Sequence, residues 1–80
     1  MRLDKYLKVS RLIKRRTVAN EACDAGRVSV NGKTARASYE VKVGDVLEIT
    51  LGARALKIQV TEIKEVVRKD DAGTMYEAIM

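Results

Sequence analysis

The stretch Gly26-Arg27-Val28-Ser29-Val30-Asn31-Gly32 decides the fold, because the hydrophobic period changes inside it from helical to alternating. Gly26 supplies the left-handed position that commonly ends a helix. Val28 and Val30 flank Ser29 in the period-two pattern of a half-buried strand. Asn31-Gly32 then gives the strongest short hairpin signal in the chain, since a tight two-residue turn needs positive φ at both positions. Helices are expected before this stretch and strands after it.

Working back from Gly26, Val18 to Ala25 reads as a helix with Thr17 as its N-cap, a hydroxyl able to accept an orphan backbone N–H. Val18, Ala19, Ala22 and Cys23 make its inward face. Earlier still, Leu3, Tyr6, Leu7 and Val9 recur at helical spacing, with Ile13 on the same side if the turn continues. At about 100° per residue, Lys5, Lys8 and Arg11 fall opposite them. Asp4 lies in the first turn, where a carboxylate favours the positive end of the helix dipole. Arg15 and Arg16 sit just before the second helix, beside amide donors that favour an anion.

Working forward, Val41 and Val43 lead to a turn at Gly44-Asp45. Leu47, Ile49 and Leu51 alternate with polar residues, Gly52-Ala53 turns the chain, and Leu56, Ile58 and Val60 alternate again. Ile63 to Val67 is expected to be extended, Lys69 to Thr74 a polar loop, and Met75 to Met80 a last strand. The fold expected is α+β: two short N-terminal helices followed by a small, mostly antiparallel sheet, in one domain spanning residues 1–80. There is no linker, internal repeat or proline.

Composition narrows the chemistry. Eighty residues, 46% hydrophobic and 34% charged, suit a small folded unit rather than a disordered basic tail. No apolar run approaches the roughly 18 residues of a membrane span, and no signal-peptide pattern opens the chain, so a cytoplasmic location without membrane association is expected. With no His and a single Cys, zinc sites built from those ligands, an internal disulfide and His-based catalytic triads are excluded. No Walker-type phosphate loop is present. A catalytic role would have to rest on Lys, Asp or Glu alone. A non-catalytic protein without metal or cofactor is expected, with Cys23 a small buried apolar side chain.

Charge supplies the positive argument. Residues 1–36 hold ten Lys and Arg against three acids, a net +7, whereas residues 37–80 hold six against eight, a net −2. The two halves sum to the chain's +5. Arg2, Lys5, Lys8, Arg11, Lys14, Arg15 and Arg16 crowd into sixteen residues with Asp4 as the one acid. A surface built only for solubility intersperses both signs. Such a cluster is the address of a polyanion, and arginine's planar fork grips phosphate in a bidentate way. A membrane helix would also need bulky apolar groups on its free face, but Leu3, Tyr6 and Leu7 are required by the core. Nucleic acid is therefore the expected ligand. With only Tyr6, Tyr39 and Tyr76, the sheet lacks the aromatic platform of single-strand readers. Tyr6 is assigned to the core, and recognition is expected to rest on phosphate geometry and RNA shape.

The blocks Arg2-Leu3-Asp4-Lys5-Tyr6-Leu7, Arg16-Thr17, Ala22, Gly26-Arg27-Val28, Val30-Asn31-Gly32 and Val43-Gly44-Asp45 resemble the S4-type RNA-binding domain, also called the alpha-L fold. The resemblance covers roughly residues 1–51, which form the motif core, with the C-terminal strands in residues 52–80. Over nearly its full length the chain is also similar to stand-alone S4 proteins of bacterial ribosome quality control. These are related to a heat-shock protein that binds free large ribosomal subunits. The resemblance implies a factor that binds large-subunit rRNA and peptidyl-tRNA on an obstructed large subunit, as a monomer off the ribosome. It would keep the tRNA placed while an RqcH-type tailing factor adds alanines. By motif position Arg2 and Arg16 are the implied direct RNA contacts, with Lys5, Lys8, Arg11, Lys14 and Arg15 in support.

Three assignments stay open on sequence alone. Asp4 is either a helix-start charge or a carboxylate that orients an arginine. Lys33 and Arg36 either touch RNA backbone or are simply solvated. The function has rivals as well: a heat-shock-type large-subunit recycling factor, an accessory RNA-binding fragment of an RNA-modifying enzyme, or a protein-interaction module using Glu62, Glu65, Asp70 and Asp71.

Overall fold

Helix α1 (Leu3–Val9) forms where the sequence spacing places Leu3, Tyr6 and Leu7 on one side, and all three are buried. The computed structural model describes residues 1–63 and 75–79. The first helix does not continue toward Ile13. Ser10 closes its last turn with an N–H to the Tyr6 carbonyl at 2.9 Å, and Arg11 then adopts φ 64°, which stops the run. Ile13 still reaches the core, carried by the connector, with its N–H on the Leu7 carbonyl at 3.1 Å.

Helix α2 (Arg16–Asp24) begins two residues earlier than expected. Its N-cap is Arg15, extended at φ −119° and without a side-chain bond. Thr17 is therefore not the cap, and Arg16 belongs to the first turn rather than preceding the helix. Ala19, Ala22 and Cys23 face inward at i, i+3, i+4 spacing, whereas Val18 falls one position off that stripe and is exposed. Burial pushes the Cys23 thiol up to about 11, with the charges of Asp4 and Asp24 adding to the effect. The helix ends as Gly26 predicts: at φ 77° it donates to the Cys23 carbonyl, and Arg27 reaches back to Ala22, the paired bonds of a Schellman motif.

Five strands follow: β1 (Val28–Val30), β2 (Lys33–Thr34), β3 (Val46–Leu51), β4 (Arg54–Val60) and β5 (Tyr76–Ala78). They form one sheet in the order β2-β1-β3-β4-β5, with every neighbouring pair antiparallel. The register sets Val28 opposite Ile49 and Val30 opposite Leu47, which in turn faces Ile58. One face of the sheet therefore carries the apolar set, and the buried residues of both helices join it in a single core. Leu51 and Leu56 share that face by alternation but lie toward the β3–β4 turn and stay 39% exposed. Val41 enters the core, while Val43, two residues on and next to the Gly44-Asp45 turn, is exposed.

Asn31 and Gly32 take φ 52° and 83°, the turn geometry their sequence predicts. Asn31 also does something its hairpin role does not require. Its carboxamide oxygen accepts the Val46 N–H at 2.9 Å, and its nitrogen donates to Asp45 at 3.1 Å. The second Asp45 oxygen accepts the Lys42 N–H at 2.9 Å. One side chain thus ties the β1–β2 turn to the turn preceding β3.

The expected C-terminal strand is present as β5, paired with β4. It is anchored where the buried Tyr6 hydroxyl donates to the Met75 carbonyl at 2.7 Å. The extended segment expected at Ile63–Val67 (beyond Ile63) and the loop expected at Lys69–Thr74 lie outside the described residues, as do Glu65, Asp70 and Asp71 of the acidic alternative. No helix among the described residues is long and apolar enough to cross a membrane.

Candidate nucleic-acid interface

The amino end of the chain is stitched to a later loop before α1 begins. Arg2 forms an isolated antiparallel bridge with Glu40, Val41 donates to the Met1 carbonyl at 2.9 Å, and Leu3 donates to the Tyr39 carbonyl at 2.8 Å. The Asp4 N–H goes to the Ala37 carbonyl at 3.2 Å. These bonds fix the direction in which Arg2 and Asp4 leave the backbone.

Asp4 is the centre of the site. Its side chain is only 3% exposed, yet it carries a carboxylate. One oxygen accepts the Lys5 backbone N–H at 2.8 Å and Arg2 Nε at 3.2 Å. The other accepts Arg16 Nε at 3.3 Å and Asn20 Nδ2 at 3.3 Å. Burial by itself would raise the pKa of this group. The hydrogen bonds from Asn20, Arg16, the Lys5 amide and Arg2 outweigh it and hold the carboxyl below its ordinary value. Asp4 is therefore ionised at neutral pH, and its charge is spent on orienting two guanidinium groups.

The guanidinium groups are not buried with it. Arg2 and Arg16 are 52% and 50% exposed, and each meets Asp4 through Nε. Half of each side chain stays open to solvent beside that contact, which leaves guanidinium donors for a second anion. Beside them Asp4, Arg16, Thr17, Asn20 and Glu21 line a shallow concavity of about 370 Å³. Two forked cations fixed beside such a hollow can grip phosphate oxygens without first losing side-chain freedom.

The other sequence-expected residues take different places. Lys8, Arg11, Lys14 and Arg15 are exposed along the end of α1 and the connector into α2, whereas Lys5 is half-buried. Arg11 and Lys14 do not belong to a helical face, because α1 has already ended. Arg36 is exposed in the loop whose next residue, Ala37, receives the Asp4 amide. Lys33 stands apart on the edge strand β2. Asn20 was not among the expected site residues. Its signal was available, because it lies one helical turn after Arg16 and so on the same side.

The S4 domain family model matches residues 1–47, and the chain belongs to that family. At finer resolution it is similar to small proteins named RQC P-site tRNA stabilizing factor. That of Halalkalibacterium halodurans is 56% identical over 77 residues, covering 96% of this chain and 88% of the relative. That of Streptococcus pneumoniae is 56% identical over 79 residues, covering 99% and 90%. Among solved structures, the trimeric heat shock protein 15 of Vibrio cholerae superposes with a TM-score of 0.92 at 29% identity, over 99% of this chain and 81% of that one.

Proposed function

We propose that this chain is a non-catalytic RNA-binding factor of ribosome quality control. It binds the obstructed large ribosomal subunit, touching rRNA and the peptidyl-tRNA together, and supports alanine tailing of the stalled chain by an RqcH-type factor. Residues 1–80 act as one S4-type unit, a monomer in the cytoplasm when off the ribosome. The observation that carries this reading is the buried Asp4 carboxylate presenting Arg2 and Arg16 outward. Such an arrangement fits a rigid ridge of sugar-phosphate better than a diffuse counter-charge. Lys5, Lys8, Arg11, Lys14, Arg15 and Arg36 add the long-range attraction that speeds encounter. The names of the relatives agree with this substrate class.

Affinity capture of the tagged protein from cells tests the reading. Large subunits holding peptidyl-tRNA, together with the tailing factor, should be recovered, and Arg2→Ala or Arg16→Ala should deplete all three. Undiminished recovery by Arg16→Ala would remove the interface. The heat-shock-type recycling role is the second reading, favoured by the close superposition on heat shock protein 15. Recovery of large subunits without tRNA or tailing factor would select it.

A further inference from the structure

A second hollow, which shares no lining residue with the one beside Asp4, lies against the open edge of the sheet. It has a volume of about 540 Å³ and is lined by Val30, Asn31, Lys33, Thr34, Ala35 and Tyr39. That volume is within the range of about 300–1,000 Å³ typical of small-ligand sites. We propose that it holds one unpaired nucleotide of the RNA partner, with the base against the Tyr39 ring and the adjoining phosphate on Lys33. The inference rests on the RNA-binding reading above and adds a base-stacking subsite to it.

Four features select this ligand. Of the three tyrosines, Tyr6 is buried and Tyr76 half-buried, and only Tyr39 is exposed. Its backbone is held on both sides, the N–H by the Arg36 carbonyl at 3.0 Å and the C=O by the Leu3 N–H at 2.8 Å. Val30 and Ala35, both buried, give an apolar floor. No carboxylate is among the lining residues, and Lys33 supplies a cation.

The edge strand adds polar groups for the base. Val30 pairs with Lys33 across the two-residue turn, so Ser29 and Thr34 form the next, non-hydrogen-bonded pair. The N–H and C=O of Thr34 accordingly point away from β1, out of the open edge. A ring wall, an apolar floor, a donor and acceptor, and an ammonium at the rim together match one nucleotide. The Asn31 carboxamide is already engaged with Asp45 and Val46, which makes it a fixed wall.

The test measures binding of a mixed-sequence single-stranded RNA octamer at low salt, alongside a blunt duplex of the same sequence. Tyr39→Ala should weaken octamer binding about 5- to 150-fold, the range for losing one stacked base. Tyr39→Phe should stay within about twofold of the parent, since the π face is retained. Lys33→Ala should reduce the salt slope by about 0.7. Duplex binding should ignore Tyr39. Thermal melting should show both Tyr39 variants folded, because the bonds that hold this residue are main-chain. Failure of the parent to bind the octamer, unchanged octamer affinity in Tyr39→Ala, or equal losses in Tyr39→Ala and Tyr39→Phe would each overturn the subsite. Arg16→Ala assayed on tRNA-bearing large subunits reports separately on the Asp4 interface, so either site can fail while the other stands.

Discussion

Asn31 and Asp45 lie in different turns, and the carboxamide nitrogen of the first donates to the carboxylate of the second at 3.1 Å. The same side chain accepts the Val46 amide, so one residue both shapes the hairpin and registers β1 against β3. Asn31→Ala removes both bonds and places a non-glycine, non-Asx residue at φ 52°. About 1–3 kcal/mol of stability should be lost, read by denaturant midpoint. Asn31→Gly keeps the backbone and should lose less.

Asp4→Asn keeps the shape of the side chain and removes its charge. Because hydrogen bonds to charged groups are worth about 1.5–3 kcal/mol, but both arginine partners are half in water, a stability loss of about 1–2 kcal/mol is expected. The effect on RNA should be larger than that of any single peripheral lysine, because two guanidinium groups lose their aim at once. Titration calorimetry on large subunits or tRNA checks the order.

The pH dependence follows from the same carboxylate. Its folded pKa lies below the unfolded one, about 3.9, so the folded state binds fewer protons in the acid range. Its contribution to stability is full above the unfolded value and is lost as pH falls through the folded one. Melting temperature recorded from pH 6 down to pH 2 should fall more steeply in the parent chain than in Asp4→Asn. Parallel curves would mean that Asp4 contributes nothing to acid unfolding.

Salt should report the number of phosphates held. With about five contacts to single-stranded RNA, the slope of log affinity against log salt is roughly −3.5, and a fourfold rise in salt weakens binding about 100-fold. Arg2→Ala and Arg16→Ala should each lower the slope by about 0.7. Lys57→Ala should leave it alone, since that ammonium lies on β4 beside Glu48 at 3.7 Å.

Tyr6→Phe isolates the bond that anchors β5. The Met75 carbonyl keeps the Thr61 N–H at 3.0 Å after the hydroxyl is gone. The loss should therefore be about 1 kcal/mol, at the level of one ordinary hydrogen bond. Hydrogen exchange should show β5 opening before the rest of the sheet.

Much of this was legible in the chain because local signals and burial agree. The alternation through Val28–Val30 and Leu47–Val60, the Asn31-Gly32 turn and the Gly26 stop each carry their own backbone preference, and the structure follows all of them. The misplacements come where two signals compete. Thr17 is a good cap by type, but the extended conformation at Arg15 starts α2 earlier. Ile13 fits the apolar face of α1, yet the left-handed turn at Arg11 delivers it to the core by another route. At the site, the charge count marked seven cations in the first sixteen residues and the motif resemblance singled out Arg2 and Arg16, but nothing in a linear reading shows both sharing one buried anion with Asn20. That arrangement depends on how α1 crosses α2, which is a tertiary fact.

Each of the two arginines meets Asp4 through Nε while about half of its side chain stays in solvent, which leaves donors for a second anion. Each is thus a bridge with a fixed span, and formal charge is only part of what it provides. An ammonium carries its three donors on one atom at the end of a loose stem and cannot cover the same span. Charge-conserving exchange to lysine at either position should accordingly behave like deletion. Sequences of this kind have little freedom to drift between the two basic residues, even though electrostatic maps would rate them equal.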